Sequence, residues 1–463
     1  MRADHGHPLS DAGLLLITVT LVVGVWQGVW AAAVSLVAGL LLRQRLLVLL
    51  LCVVAGLIGA WVGVRAWEQA APRQLGDFAG WAEIVADPAP FGAGLRVTVE
   101  VSGERFDAWL YGGARRRLAD RQSGQFVWVQ GRRTELGANA RKAQVRHVVG
   151  RFEAEVVGDV LEGSPLARAN NRVRDRLRSV AEATMATDDA SLFTGLVIGD
   201  DARQPAWLID DFRTSGLSHL TAVSGQNVAF VLAAALPLLR RLRPWWRWAS
   251  TVALIVWFMA LTRFEPSVLR AGVMAVLAAT AYVRGQQVRP LRVLSLAVLF
   301  LVVADPLLVW SVGFWLSVGA TLGVCTAGPW LGTRLPGPAW LRLPMAVTLG
   351  AQAGVALPSV LVFGRLPIVS LPANLAAVPA AGFVMLYGLP AGLFASLMPA
   401  ALQSVVMSPA TLGTRWVSTV AQVAAAIEPS PAWAALWWGS EVSCLLFWLW
   451  RCRSRVTAAD VPT

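Results

Sequence analysis

Apolar residues fall along the chain in two blocks, about 13–64 and about 219–450, separated by a polar stretch over about 68–206. Each block holds runs long enough to cross a bilayer, which takes roughly 20 apolar residues in a helix. In the first block, residues 13–42 are too many for one untilted span and carry Trp26, Gln27 and Gly28 at their middle. The pattern predicts two short helices there and a third over 46–64, hence three crossings. The opening MRADHGHPLSD pairs one arginine with two aspartates ahead of a long apolar run, so it reads as a first membrane segment and not as a cleaved secretory leader.

Loops in the second block alternate in charge. Arg240, Arg241, Arg243 and Arg247 follow its first apolar run, Arg284, Arg289 and Arg292 come two runs later, and Arg334 and Arg342 two further on. The connections between them, RFEP at 263–266 and ADP at 304–306, are short and nearly neutral. The positive-inside bias therefore places the basic loops, Arg43, Arg45, both termini and the RCRSR run at 451–455 in the cytoplasm, and the polar stretch outside.

Within that stretch the periodicity changes to two. WAEIVAD, LRVTVEVSG, RFDAWLYGG, QFVWVQGRR and QVRHVVGRFEAEVVGDV alternate apolar with polar residues and are punctuated by glycine turns, which predicts about five strands. Five strands in so short a span favour a small barrel, of which the OB-fold is one common form, with a fragment of a β-sandwich as the alternative. The expected architecture is a polytopic α-helical membrane protein with an inserted external OB-like β-barrel. Its units are N-terminal transmembrane helices over 1–67, the OB-like domain over 68–165, amphipathic linker helices over 166–206, a transmembrane core over 207–455 and a cytoplasmic tail over 456–463.

Composition agrees, with 56% hydrophobic and 15% charged residues, more apolar sequence than a soluble core uses. The formal charge of +12 is nearly all arginine, since Lys142 is the lone lysine. Outside the basic loops, Arg115, Arg116, Arg117, Arg132, Arg133, Arg141, Lys142 and Arg146 crowd one part of the insert, close to Tyr111, Phe126 and Trp128. Cations that follow phosphates beside rings that stack on bases suit single-stranded nucleic acid. The alternative is that the aromatics fill the barrel and the arginines face water. After the insert, LARANNRVRDRLRSV sets Leu166, Val173, Leu177 and Val180 on one helix face with five arginines elsewhere, a pattern fit for anionic lipid or DNA, lipid being preferred.

Several chemistries have no residues to support them. The only lysine is followed by Ala143, so there is no GxxxxGK[ST] phosphate loop, and AVSGQ lacks the first glycine of a GxSxG elbow. His5 and His7 stand at the terminus, which leaves His147 and His219, too few for a histidine-rich zinc site. Cys52, Cys325, Cys444 and Cys452 fall in or beside apolar runs without CxxC spacing. The expectation is a non-enzyme with no catalytic residue, metal or cofactor.

Chemistry concentrates instead where polar residues enter the apolar core. In SGLSHLTAVSGQNVAF, residues 215–230, a regular helix would aim the polar side chains in nearly every direction. A helix broken at Ser224–Gly225 resolves this, and an interruption at bilayer depth is tolerated where it lines a wet cavity. His219, Ser224, Gly225, Gln226 and Asn227 are then candidates for a polar path, against the alternative that serine and asparagine merely bond neighbouring helices. A second interruption is expected over 366–381, where Pro367, Pro372 and Pro379 bracket Asn374. Arg270 either faces the same path or snorkels outward. Gly313, Ser317 and Thr321 recur every four residues, as do Gly319 and Gly323, a pattern of close helix packing. Asp200 and Asp201 end a helix as a cap or a rim.

SGLSHLTAVSGQNV resembles the signature of the ComEC competence family, usually close to SGLxHLLAISGLHV, and GLVIGDD, PSVLRAGVM, ADPLLVWSVGFWLSVGAT and PANLAAVP follow in the family's order over about 190–382. The resemblance implies import of transforming DNA, one strand crossing the cytoplasmic membrane after the other is degraded. It puts His219, Ser224, Gly225, Arg270, Ser317 and Asn374 at family-motif positions. It also implies single-stranded DNA as cargo, with an external DNA receptor, a cytoplasmic helicase-like motor and membrane lipids around the chain. Two departures matter: Asn227 stands where many relatives have a second histidine, and the metallo-β-lactamase-like domain of long members is missing, so strand degradation would need a separate nuclease. The rival readings are a small-solute or lipid transporter built on the same broken helices, or a membrane scaffold.

Overall fold

The computed structural model describes residues 10–41, 45–137, 140–221, 225–364 and 367–429, with single positions at 433, 440 and 443. His5, His7, Arg43, Ser224, Cys444, Cys452, the RCRSR run and the tail 456–463 lie outside the described residues.

Three helices open the chain: α1 (Asp11–Gln27), α2 (Trp30–Leu41) and α3 (Leu46–Gln69). Ser10 caps α1 by accepting from the Gly13 N–H at 3.0 Å, and Gly28, with φ 72°, ends it. α1 and α3 run parallel, since Gly13 lies against Val48 near their starts and Gly63 against Val25 near their ends. α2 returns between them as the pattern predicts, but its 12 residues rise about 18 Å, short of the roughly 30 Å of hydrocarbon.

The insert forms β1 (Gly76–Ile84), β2 (Ala89–Phe91), β3 (Gly94–Val101), β4 (Glu104–Leu110), α4 (Gly112–Leu118), β5 (Phe126–Glu135), α5 (Ala140–Gln144) and β6 (Val148–Leu161). The sheet order is β1-β5-β6-β4-β3-β2, with β4 and β6 parallel. β1 also pairs with β3, Glu83 opposite Glu100 and Ile84 opposite Val99. The five long strands are those the alternation predicts. β2 and the two short helices are additions, α4 anchored by buried Leu118 and α5 by Ala143. Ile84, Val97, Phe106 and Val127 turn into the core. Phe126 and Trp128 flank Val127 on the other face and remain half-exposed, and Tyr111 is exposed. These three aromatics therefore do not fill the interior of the β-domain.

The helical core follows as α6 (Pro165–Thr184), α7 (Thr187–Ile198), α8 (Ala206–Thr214), α9 (Ser218–Thr221), α10 (Gly225–Leu239), α11 (Pro244–Leu261), α12 (Pro266–Val283), α13 (Pro290–Ala304), a 3-10 turn (Pro306–Trp310), α14 (Val312–Gly332), α15 (Ala339–Phe363), α16 (Ser370–Ala395) and α17 (Ala400–Ile427). Among the described residues, five helices are long and apolar enough to cross a membrane: α3, α12, α14, α15 and α16. α14 and α15 approach at backbone distance. A Cβ on Gly323 would lie 2.0 Å from the Gly350 carbonyl oxygen, and one on Gly319 2.4 Å from that of Gly354. The four-residue glycine spacing read in α14 is thus one half of a paired seam.

Two sequence expectations are corrected. The stretch 366–381 is not interrupted after its start, because α16 runs unbroken from Ser370 with Pro372 in its first turn and Pro379 inside. Proline in a first turn removes an N–H that has no helical partner anyway, and small neighbours tolerate the second. Nor does α6 keep all five of its arginines on a polar face. Arg174 is 2% exposed, and its Nη1 donates to the Ile198 and Leu261 carbonyls at 3.1 and 3.2 Å. Those are the last carbonyls of α7 and α11, which helix geometry leaves unpaired.

The same Arg174 joins the core to the β-domain. Its Nη2 lies 3.0 Å from Asp87 in the β1–β2 loop, and Asp87 also pairs with Arg263 at 3.0 Å and accepts from the Ser123 N–H at 2.8 Å. Arg263 in turn donates to Asn171 at 2.8 Å. Asp200 takes Arg178, so it is buried in this network and not a rim. A second bond, His147 to Asp305 at 2.9 Å, ties β6's approach to the ADP loop. Both attachments use the near-neutral loops. At the far end of α12, Asp11 accepts from Arg289 at 3.3 Å and from Arg292 at 3.5 Å, so the start of α1 lies with the basic loops, opposite the β-domain.

Candidate functional site

Polar groups of the SGLSHLTAVSGQNVAF motif are distributed over three contacts. The first is Gly225, the initial residue of α10. A Cβ there would come within 2.9 Å of the Ala271 Cβ and 3.3 Å of Arg270 Nη2, so glycine is what lets α10 begin against the guanidinium. Arg270 is 6% exposed. Its Nε donates to Ser317 Oγ at 2.8 Å and its Nη1 lies 3.1 Å from Met274 Sδ. Among the described residues no carboxylate stands within ion-pair distance of it. Ser317 is itself held in α14, its carbonyl accepting from Thr321 at 2.9 Å. α10, α12 and α14 therefore converge on one buried cation. A guanidinium has five N–H donors, and a serine hydroxyl and a thioether do not neutralise it.

The second contact joins the motif to α16. Gly216, with φ 75°, turns the chain where a Cβ would meet Ser370 at 2.6 Å and Pro367 at 3.4 Å. Ser370 accepts from Gln352 of α15 through its hydroxyl, and its carbonyl accepts from Asn374 Nδ2 at 2.7 Å. Asn374 is thus buried and bonded back onto its own helix. Glu428 completes this end by accepting from the Ile368 and Val369 N–H groups at 3.1 and 3.0 Å, a carboxylate on donors that the start of a helix leaves open.

The third contact is Asn227. It is 2% exposed, and its Nδ2 donates to the Leu196 carbonyl of α7 at 2.7 Å. That bond is the helix-tying role weighed as the alternative for this residue. His219 and Gln226 are exposed. Of the sequence-derived residues, Gly225, Arg270 and Ser317 come together; Asn374 sits with Ser370 and Gly216, and Asn227 turns to α7. Gln352, Ser370 and Glu428 were not anticipated. Glu428 had a signal, being the first acidic residue after Asp305, and Gln352 is a lone amide in an apolar run.

The eight cations of the insert divide by element. Arg115, Arg116 and Arg117 lie exposed on α4, Arg141 and Lys142 exposed on α5. Arg115 donates to the Ala93 carbonyl at 2.8 Å and Arg117 to that of Val157, so both keep their charge without a carboxylate. Arg132 is exposed on β5 beside Asp77 at 3.9 Å. Arg133 is buried, donating to Gln74 at 3.2 Å with its guanidinium 5.5 Å over the Phe78 ring. Arg146 pairs with buried Asp107 at 2.8 Å. On the outer face Trp81 stands opposite Trp128 across β1 and β5.

Comparison with known proteins adds the following. A family profile described as "Competence protein" matches residues 196–453. ComE operon protein 3 of Bacillus subtilis (strain 168) is 25% identical over 249 residues, which cover 53% of this chain and 32% of that protein. The matched stretch thus spans about a third of the relative's length. No solved structure matches the chain.

Proposed function

Because the chain belongs to the competence protein family, for which a role in DNA uptake is the natural setting, we propose that it is the channel through which single-stranded DNA crosses the cytoplasmic membrane. The observation that carries this reading is Arg270, buried among apolar helices beside Gly225 and Ser317 with no carboxylate partner among the described residues. A charge in such a place is costly and marks a substrate path. A phosphodiester is the anion that fits, since guanidinium donors pair with phosphate oxygens. The chain does no bond chemistry in this account; a helicase-like motor on the cytoplasmic side supplies the work, and a separate nuclease removes the other strand.

Orientation follows from charge. With the basic loops in the cytoplasm, the β-domain docked on RFEP and ADP faces outward. The ring of pairings from β1 through β3, β4, β6 and β5 back to β1 supports a small closed barrel of OB type. Exposed Tyr111 beside the cations of α4, with exposed Trp81 on the outer face of the sheet, would receive the strand from an external receptor. The reading is tested by DNA uptake in a deletion strain complemented with Arg270 variants. Uptake that persists without the chain would leave a solute or lipid transporter as the better account.

A further inference from the structure

The level at which the first helices meet the β-domain is crowded with tryptophan. Trp26 lies in the last turn of α1, Trp30 opens α2, Trp61 and Trp67 lie in the second half of α3, and Trp310 ends the 3-10 turn. Trp26, Trp30 and Trp61 are exposed, and Trp67 meets Trp310 edge to face with centroids 5.0 Å apart. Indoles gather at headgroup depth because one end of the ring is apolar and the other wet. Two arginines share that level: Arg65 lies 4.2 Å over the Trp61 ring, and Arg141 of α5 lies 5.6 Å over that of Trp67. α5 is held there by Gln144, which donates to the Ala70 carbonyl at 3.3 Å.

Between these groups opens a cleft of about 400 Å³. Its walls differ along its length. Val25, Ala60, Gly63 and Val64 of α1 and α3 make an apolar side, and Trp67 and Arg141 make the other end. Trp26 and Val64 are exposed at its margin.

We infer that this cleft binds an anionic phospholipid of the leaflet on the β-domain side, with the phosphate on Arg141 and an acyl chain against Val25 and Val64. Arg141 is exposed, and among the described residues it pairs with no carboxylate, so its donors are available to two phosphate oxygens at once. The apolar half of the cleft gives a hydrocarbon chain something to cover, which neither free phosphate nor a nucleic-acid strand supplies. Position favours lipid over DNA for the same reason, since the margin lies at headgroup depth. Arg141 then fixes the β-domain to the bilayer surface while Asp87 fixes it to the core.

Native mass spectrometry of the full chain in non-ionic detergent, titrated with phosphatidylglycerol or phosphatidylcholine, tests this. Phosphatidylglycerol should be retained in preference, and Arg141→Gln should weaken its retention about fivefold, the scale of one juxtamembrane cation. Lys142→Gln, one position on, should leave it unchanged. Trp67→Ala supplies a second variant that keeps the charge and opens the cleft, and should weaken retention as well; thermal melts of each variant report its fold. Neither glycerol phosphate nor an oligothymidylate should displace the lipid. Equal retention of the two lipids, or retention unaffected by Arg141→Gln, overturns the inference. Displacement by glycerol phosphate would make this a free-phosphate site, and displacement by the oligothymidylate a DNA contact; either also overturns it.

Discussion

Arg263 reaches Asp87 at 3.0 Å across 176 residues of sequence, and so joins the loop between α11 and α12 to the β-domain. Arg174, from a third element, meets the same carboxylate at 3.0 Å. The β-domain is therefore not strung on a linker but clamped to the core through one acidic side chain with two arginines on it.

Asp87→Asn should destabilise the chain by about 3 kcal/mol, because it takes from Arg263 the carboxylate it pairs with and leaves buried Arg174 only Asp200, at 3.7 Å, as a counter-charge. Burial alone would raise the Asp87 pKa, but Arg174 and Arg263, with the Ser123 N–H, outweigh it and hold it below the usual aspartate value. A depressed carboxylate stabilises fully above its unfolded pKa of about 4 and loses that contribution as pH falls through the lower folded value. Thermal melts in detergent should show a wild-type advantage over Asp87→Asn that is constant above about pH 4 and closes below it. An advantage unchanged in acid would mean the pair is not what Asp87 contributes.

The α14–α15 seam separates glycines that matter from one that does not. Gly323→Ala places a methyl 2.0 Å from the Gly350 oxygen, so the helices must part, at about 2 kcal/mol. Gly313→Ala meets nothing nearer than 4.0 Å and should be neutral or slightly stabilising. Equal melting temperatures for the two variants would remove the seam from the account.

Asn227→Ala should act on stability and not on passage. Loss of its bond leaves the Leu196 carbonyl buried without that donor, at about 2 kcal/mol. Uptake should then fall only in step with the amount of protein in the membrane, measured by immunoblot. A loss of uptake at full protein level would place Asn227 on the path.

Binding of single-stranded DNA to the purified chain should weaken with salt. Replacing Arg115, Arg116 and Arg117 with glutamine should flatten the log–log slope by about 0.7 for each phosphate contact removed. Arg133→Gln should instead lower thermal stability, since that side chain is committed to Gln74 and Phe78. An unchanged slope in the triple variant would move the DNA contact off α4.

Much of this arrangement is legible in sequence because periodicity records burial. Val97, Val99 and Val101 alternate into the β-domain core, and the same rule turns Trp128 outward. α4 and α5 carry no such record; they are short, arginine-rich and set by docking of Leu118 and Ala143. The clamp was hidden for another reason. Asp87, Arg174 and Arg263 meet only in the folded chain, and Arg174 reads as one more polar residue on an amphipathic helix. At the site, the break before Gly225 and the importance of Arg270 were visible as polar groups in apolar surroundings. The partner of Arg270 was not, because Ser317 reads equally well as a small packing residue, and the prolines near Asn374 suggested an interruption that α16 does not show, with Pro372 in its first turn and Pro379 carried inside the helix.

The most direct test of the central claim is uptake of labelled DNA into the cytoplasm of a deletion strain complemented with wild type, Arg270→Ala, Arg270→Lys or His219→Ala, at membrane levels matched by immunoblot. The account predicts that wild type restores uptake, that Arg270→Ala at full level does not, and that Arg270→Lys restores part of it by keeping the charge without the fork. Uptake at wild-type rate in Arg270→Ala would contradict it.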